Sequence, residues 1–170
     1  MAGYGLPKEQ HLSVVLQNSL ELEGHNVEII NGSVSGSTSA GGLNIAEWTL
    51  SQSNIDLMIL CLGANDMLRG INPKETKNNL EEIIQIAKNK NIKIIIAGMI
   101  APTSYGSEYK ESFDKIFFNL SKEYNLQLIP FLLEGVAQKP EFNLSDGMHP
   151  NDQGTIIIGN TLKKAILENL

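Results

Sequence analysis

Asp56-Leu57-Met58-Ile59-Leu60-Cys61-Leu62-Gly63 is the stretch on which the fold turns. A nearly continuous apolar run of this length, stopped by a glycine, is the pattern of a strand buried on both faces of a parallel sheet. Ile92 to Met99 repeats that pattern, and Gln127 to Ile129, ending at Pro130, gives a shorter version. Upstream, Val27-Glu28-Ile29-Ile30-Asn31 is short, rich in β-branched residues and followed by the Gly/Ser-rich segment Gly32 to Gly42, so it reads as strand then loop.

Between these runs the apolar spacing changes from strand to helix. After Pro7, residues Leu12, Val15, Leu16, Ser19, Leu20 and Leu22 recur at helical intervals, and Gly24 stops the pattern as a C-terminal cap does. A second helix is expected from about Leu43 to Gln52. A long one starts near Pro73, with Leu80, Ile83, Ile84 and Ala87 on one stripe. Tyr109 to Tyr124 is expected to be helical with Phe113, Ile116, Phe117 and Leu120 facing a core, as are a short segment from Phe131 to Ala137 and the final run from Asp152 to Glu168. Trp48, Phe113 and Phe117 read as core aromatics. Helices alternating with apolar strands predict a three-layer α/β/α domain with a mostly parallel sheet, spanning residues 1–170 as a single unit. Sites in such sheets form in the loops at the carboxyl ends of strands. Those loops are Gly32 to Gly42, Gly63 to Gly70 and Met99 to Gly106, with His149 on a later one.

Composition narrows the function. Hydrophobic residues make up 42% of the 170, and the formal net charge is −6 with no Lys/Arg cluster, which leaves no electrostatic footprint for nucleic acid. The single cysteine, Cys61, excludes an internal disulfide framework, and His11, His25 and His149 lack metal-ligand spacing, so no metal is expected. Apolar stretches such as Ile94 to Ile100 fall far below the roughly 18 residues of a membrane helix, and no stable membrane insertion is expected. The first residues show neither a charged n-region nor an apolar h-region. The chain as written therefore reads as soluble and cytoplasmic, and as periplasmic or secreted if an upstream segment carries a signal.

Three segments carry chemistry. Ser145-Asp146-Gly147-Met148-His149-Pro150 places a carboxylate three residues before a histidine, so that Asp146 can hold one imidazole nitrogen as N–H and leave the other as base. Pro150 biases His149 toward extended backbone and lets the ring project from the loop. Gly63-Ala64-Asn65-Asp66 follows the strongest strand, where Asn65 supplies an amide donor suited to an oxyanion; Asn-Asp is also ordinary turn and capping chemistry. Ser33-Val34-Ser35-Gly36-Ser37-Thr38 offers a second donor, because Gly36 lets a backbone N–H approach a ligand closely.

In order, Gly36, then Gly63-x-Asn65-Asp66, then Asp146-x-x-His149-Pro150 resembles the SGNH (GDSL-type) hydrolase superfamily. The finer run Gly63 to Gly70, the Pro102 to Tyr109 loop and Asp146 to Pro150 look like its small bacterial arylesterase, thioesterase and lysophospholipase branch. The resemblance covers essentially the whole chain. It implies a flavodoxin-like sheet and a serine esterase without cofactor that acts on a small acyl ester or thioester. His149 would be the general base, Asp146 its orienting partner, and Gly36 and Asn65 oxyanion donors.

One block of the family pattern is missing. The family's nucleophile lies in an N-terminal Gly-Asp-Ser-Leu block that ends the first strand, and the residues that follow it resemble Ala2-Gly3-Tyr4-Gly5-Leu6. The given sequence begins just after the serine is due, so the expectation is a chain truncated by a start assigned too far downstream, without nucleophile and inactive alone. In the family's strand order the absent strand is central, between Val27 to Asn31 and Asp56 to Leu62, and its loss leaves unpaired backbone groups on both sides. Ser33, Ser35, Ser37 and Ser39 occupy the place of an oxyanion donor, not of the attacking hydroxyl. Cys61 sits in an apolar strand where a thiolate is disfavoured, and Ser145 reads as a turn residue. A non-catalytic descendant that binds an acyl ligand or a partner is the competing expectation. An unrelated flavodoxin-like binding domain ranks below both, because Gly32 to Gly42 forms no phosphate loop.

Overall fold

A computed structural model describes residues 2–51 and 54–170. Its contacts group the chain into two compact units, one formed by the residues up to Ser35 together with Leu132–Leu170, the other by Gly36–Phe131.

The second unit holds the sheet. Strands β1 (Leu57–Leu60), β2 (Lys93–Ala97) and β3 (Gln127–Ile129) run parallel in the order β1-β2-β3, with Leu57 opposite Lys93 and Ile95 opposite Gln127. Helices α2 (Ser39–Thr49), α3 (Ala64–Leu68), α4 (Pro73–Asn89) and α5 (Ser107–Tyr124) complete the unit. This is an α/β fold with a three-stranded parallel sheet flanked by helices: α4 packs on β2, and α5 on β2 and β3. The predicted stripes supply the core, since Leu80, Ile83, Ile84 and Ala87 of α4 and Phe113, Ile116, Phe117 and Leu120 of α5 are all buried. Pro73 occupies the first turn of α4, and the Asn72 side chain accepts from Lys74 N–H.

Helix α2 starts four residues earlier than the spacing predicts. Thr38 caps it by accepting from Gly41 N–H, which draws Ser39 to Gly42 out of the expected loop and into the helix. The helix ends at Thr49, and its expected end at Gln52 lies outside the described residues. Trp48, expected in the core, is 68% exposed, because α2 turns that face outward. β1 also departs from expectation. Ile94 to Ala97 of β2 are buried, whereas Leu57, Met58 and Ile59 are only half-buried. The difference follows from position: β2 has a neighbour on each side, and β1 pairs with β2 alone among the described residues.

The first unit is built from α1 (Leu12–Leu22) packed on α6 (Asp152–Leu167). Leu12, Leu16 and Leu20 face inward, but Leu22 is 88% exposed, since the stripe has rotated away from the core by the last turn. The strand expected at Val27 to Asn31 does not form, because a strand requires a ladder and no strand among the described residues pairs with this segment. A side chain substitutes for the ladder instead. Gln17 Nε2 donates to the Val27 carbonyl and Ile29 N–H donates to Gln17 Oε1, each at 2.7 Å, so one amide group presents the donor and acceptor of a missing neighbour. The helix expected from Phe131 to Ala137 is a run of hydrogen-bonded turns. Gly135 and Gln138, at φ of 78° and 62°, adopt left-handed backbone that no α-helix continues through.

Candidate active site

Residues 143–151 of the first unit form a tight excursion closed at its base. Leu144 N–H donates to the His149 carbonyl at 2.7 Å, Asn151 N–H donates to Phe142 O at 3.0 Å, and Asn143 pairs with Pro150 in an isolated antiparallel bridge. The buried Asn143 amide donates to the carbonyls of Val136 and Lys139. At the other end Asn151 caps α6 by accepting from Gly154 N–H. The tip is thus held between two hydrogen-bonded ends.

Within that tip Asp146 uses both carboxylate oxygens. Oδ1 accepts from the backbone N–H groups of Met148 and His149 at 2.8 and 2.9 Å, and Oδ2 lies 2.7 Å from His149 Nδ1. The backbone N–H groups of His149 and Met148, followed by the imidazole, hold the Asp146 carboxyl down at about 2. An ionised carboxylate on Nδ1 selects the tautomer with its proton there and leaves Nε2 to take another. Both side chains are exposed. Ser145 belongs to the turn, as expected.

The second unit carries Gly36 and Asn65. Gly36 has φ of 75° and stands exposed ahead of α2. Gly63, at φ of 110°, makes the left-handed turn from β1 into α3, and that short helix presents half-buried Asn65 in its first turn. The sequence had this segment as a loop, because five helical residues are too few to show a period. Among the described residues no hydrogen bond occupies the Asn65 amide. Two long-range ties connect the segments that carry these groups. Arg69 Nη2 donates to the Gly36 carbonyl at 2.8 Å. Asp66 accepts from Ser39 N–H at 2.7 Å, from Ser39 Oγ and from Thr76 Oγ1 at 3.2 Å, and Asn79 donates to Ser39 Oγ in turn. Asp66 is 0% exposed. In the sequence Asp66 reads as part of the Gly63-x-Asn65-Asp66 motif or as turn chemistry, and no local signal links it to partners 27 and 10 positions away.

Cys61 is a free thiol whose pKa burial pushes up, which disfavours the thiolate. Ser39 is buried and committed to Asp66, so its hydroxyl is engaged in structure. His11 occupies the cap position of α1, and His25 follows its end. No group of three or more His, Cys, Asp or Glu is arranged to hold a metal among the described residues.

Residues 1–155 match the GDSL-like lipase/acylhydrolase family. The chain belongs to that family. It is 35% identical over 169 residues to an arylesterase of Vibrio mimicus, covering 99% of this chain and 84% of the relative. It is also 35% identical over 138 residues to thioesterase 1/protease 1/lysophospholipase L1 of Escherichia coli K12, covering 81% of this chain and 66% of that protein. The crystal structure of TesA superposes with a TM-score of 0.94 at 31% identity, covering 99% of this chain and 94% of that one. The GDSL-family chain thus falls in the branch of arylesterases and thioesterases that its motifs resembled. No helix among the described residues is long and apolar enough to cross a membrane.

Proposed function

We propose that this chain carries the base, the orienting carboxylate and two oxyanion donors of a carboxylester or thioester hydrolase that works through an acyl-serine intermediate. The observation that supports it most directly is the Asp146–His149 pair, with a 2.7 Å contact at Nδ1 and a carboxylate held ionised by two backbone N–H groups. In this reading the serine hydroxyl attacks the acyl carbonyl while His149 Nε2 takes its proton. Asp146 steadies the imidazolium, and the Gly36 N–H and the Asn65 amide stabilise the oxyanion. His149 returns the proton to the leaving alcohol or thiol, then activates water to release the acid. Aryl esters, acyl thioesters and lysophospholipids are the substrate classes that the relatives' names suggest.

The 170 residues contain no Gly-Asp-Ser-Leu block. Met1 to Leu170 alone is therefore expected to leave p-nitrophenyl butyrate and an acyl thioester intact. The same chain preceded by an apolar strand ending in Gly-Asp-Ser-Leu is expected to hydrolyse them. In that active form His149→Ala abolishes turnover, and Asn65→Ala lowers kcat by about 10²–10³. Rapid hydrolysis by Met1 to Leu170 alone would show that another nucleophile operates, and full activity of His149→Ala would remove the base from the mechanism.

A further inference from the structure

One ring contact near the dyad is unused by the chemistry above. Tyr4, 58% exposed, lies against His149 with the ring centroids 4.4 Å apart and the planes tilted by 32°. An exposed tyrosine ordinarily samples many rotamers, so this contact needs a backbone that aims it. Leu6 N–H closes a turn on the Gly3 carbonyl at 3.1 Å, with Gly5 at φ of 72° in the position where such a turn requires positive φ. His11 Nε2 lies 3.1 Å from the Leu6 carbonyl, to which it donates, and fastens the end of the turn to the start of α1. The His11 ring also fills the space beside Gly3, where a Cβ would lie 2.2 Å from its Cδ2. The turn is thus pinned at two points, and its aromatic side chain rests on the His149 imidazole.

We propose that Tyr4 is a positioning residue for His149, holding the imidazole by its face while Asp146 holds it by its edge. This rests on the reading of His149 as the base. The two restraints are complementary. A hydrogen bond at Nδ1 leaves the ring free to rock about the line to Asp146, and a stacked ring blocks that motion. Together they keep Nδ1 on the carboxylate and Nε2 in one direction. The π-face also draws the positive charge that develops when Nε2 takes a proton. His11 has a defined place in this arrangement as the residue that fixes the Tyr4 turn.

The test uses Met1 to Leu170 as it stands and reads the histidine rings by NMR, so it does not depend on turnover. In the native chain and in Tyr4→Phe, the His149 ring protons are expected upfield under the aromatic ring current. With the ring in its neutral form the ¹⁵N shifts are expected to report the Nδ1–H tautomer. In Tyr4→Leu both signatures move toward those of free histidine, while the amide signals of α1 and α6 stay in place as the folding control. Unchanged ring-proton shifts in Tyr4→Leu overturn the contact, and shifted ring protons with an unchanged tautomer overturn the positioning role. Failure of the hydrolase reading is seen separately, as full turnover of His149→Ala in the serine-bearing chain.

Discussion

Asp146 and Asp66 are the same residue type engaged by the same number of groups, and they do opposite things. Asp146 is exposed and gathers its partners from two and three residues away: two backbone N–H groups and the imidazole. Asp66 is fully buried and gathers its partners from 27 residues upstream and 10 downstream. In the proposed mechanism, the carboxylate satisfied locally and left in solvent keeps an imidazole available for proton transfer. A carboxylate satisfied at long range and removed from solvent fastens the α2 and α4 segments beside Asn65. The number of hydrogen bonds therefore does not separate these two carboxylates, whereas the sequence distance and burial of the partners do.

That contrast is broken most severely at Asp66. Asp66→Ala strands the Ser39 N–H and the hydroxyls of Ser39 and Thr76 in the interior, and is expected to cost roughly 3–5 kcal/mol in urea unfolding. Asp146→Ala strands only solvent-accessible donors and is expected to leave the urea unfolding midpoint close to that of the native chain. Equal losses would show that burial is not what distinguishes the two. The next effect is smaller and lies at Gln17. Gln17→Ala removes both bonds to the 27–29 backbone, with an expected loss of about 1–2 kcal/mol and faster hydrogen exchange at the Ile29 amide. An unchanged exchange rate would show that the segment is held by other contacts.

The smallest expected effect is a dependence on pH. The Asp146 carboxyl is held at about 2, below the ~3.9 of an unfolded aspartate. A depressed acid contributes order above the unfolded value and loses it as pH falls through the folded one. The 146–149 turn is therefore expected to remain intact at pH 4 and to loosen between about pH 4 and pH 2, as read from the Asp146 ¹³Cγ signal and the Met148 and His149 amides. A midpoint near 4 would mean that the two backbone donors are not engaged in solution.

The elements most legible in the sequence were those whose information is periodic. The stripe of α4, the core face of α5, the short strand Gln127–Ile129 and the Pro73 start needed nothing beyond spacing and capping. Asp146 and His149 were legible for a related reason, since a contact across three residues is fixed by the turn between them. Trp48 and Leu22 misled because apolarity sets a preference for burial, while the direction a face takes depends on what packs against it. Residues 27–31 misled because β propensity cannot supply a partner strand.

The α/β class, the family and the carboxylate–imidazole pair are each written in local spacing or in motif order. The burial of Asp66 in a four-residue hydrogen-bond cluster, the grip of Arg69 on the Gly36 carbonyl, the use of Gln17 in place of a strand and the contact of Tyr4 with His149 arise only in the folded chain. Most of these contacts join residues 10 to 145 positions apart, where no turn or helix geometry constrains the pairing and packing alone brings the groups together.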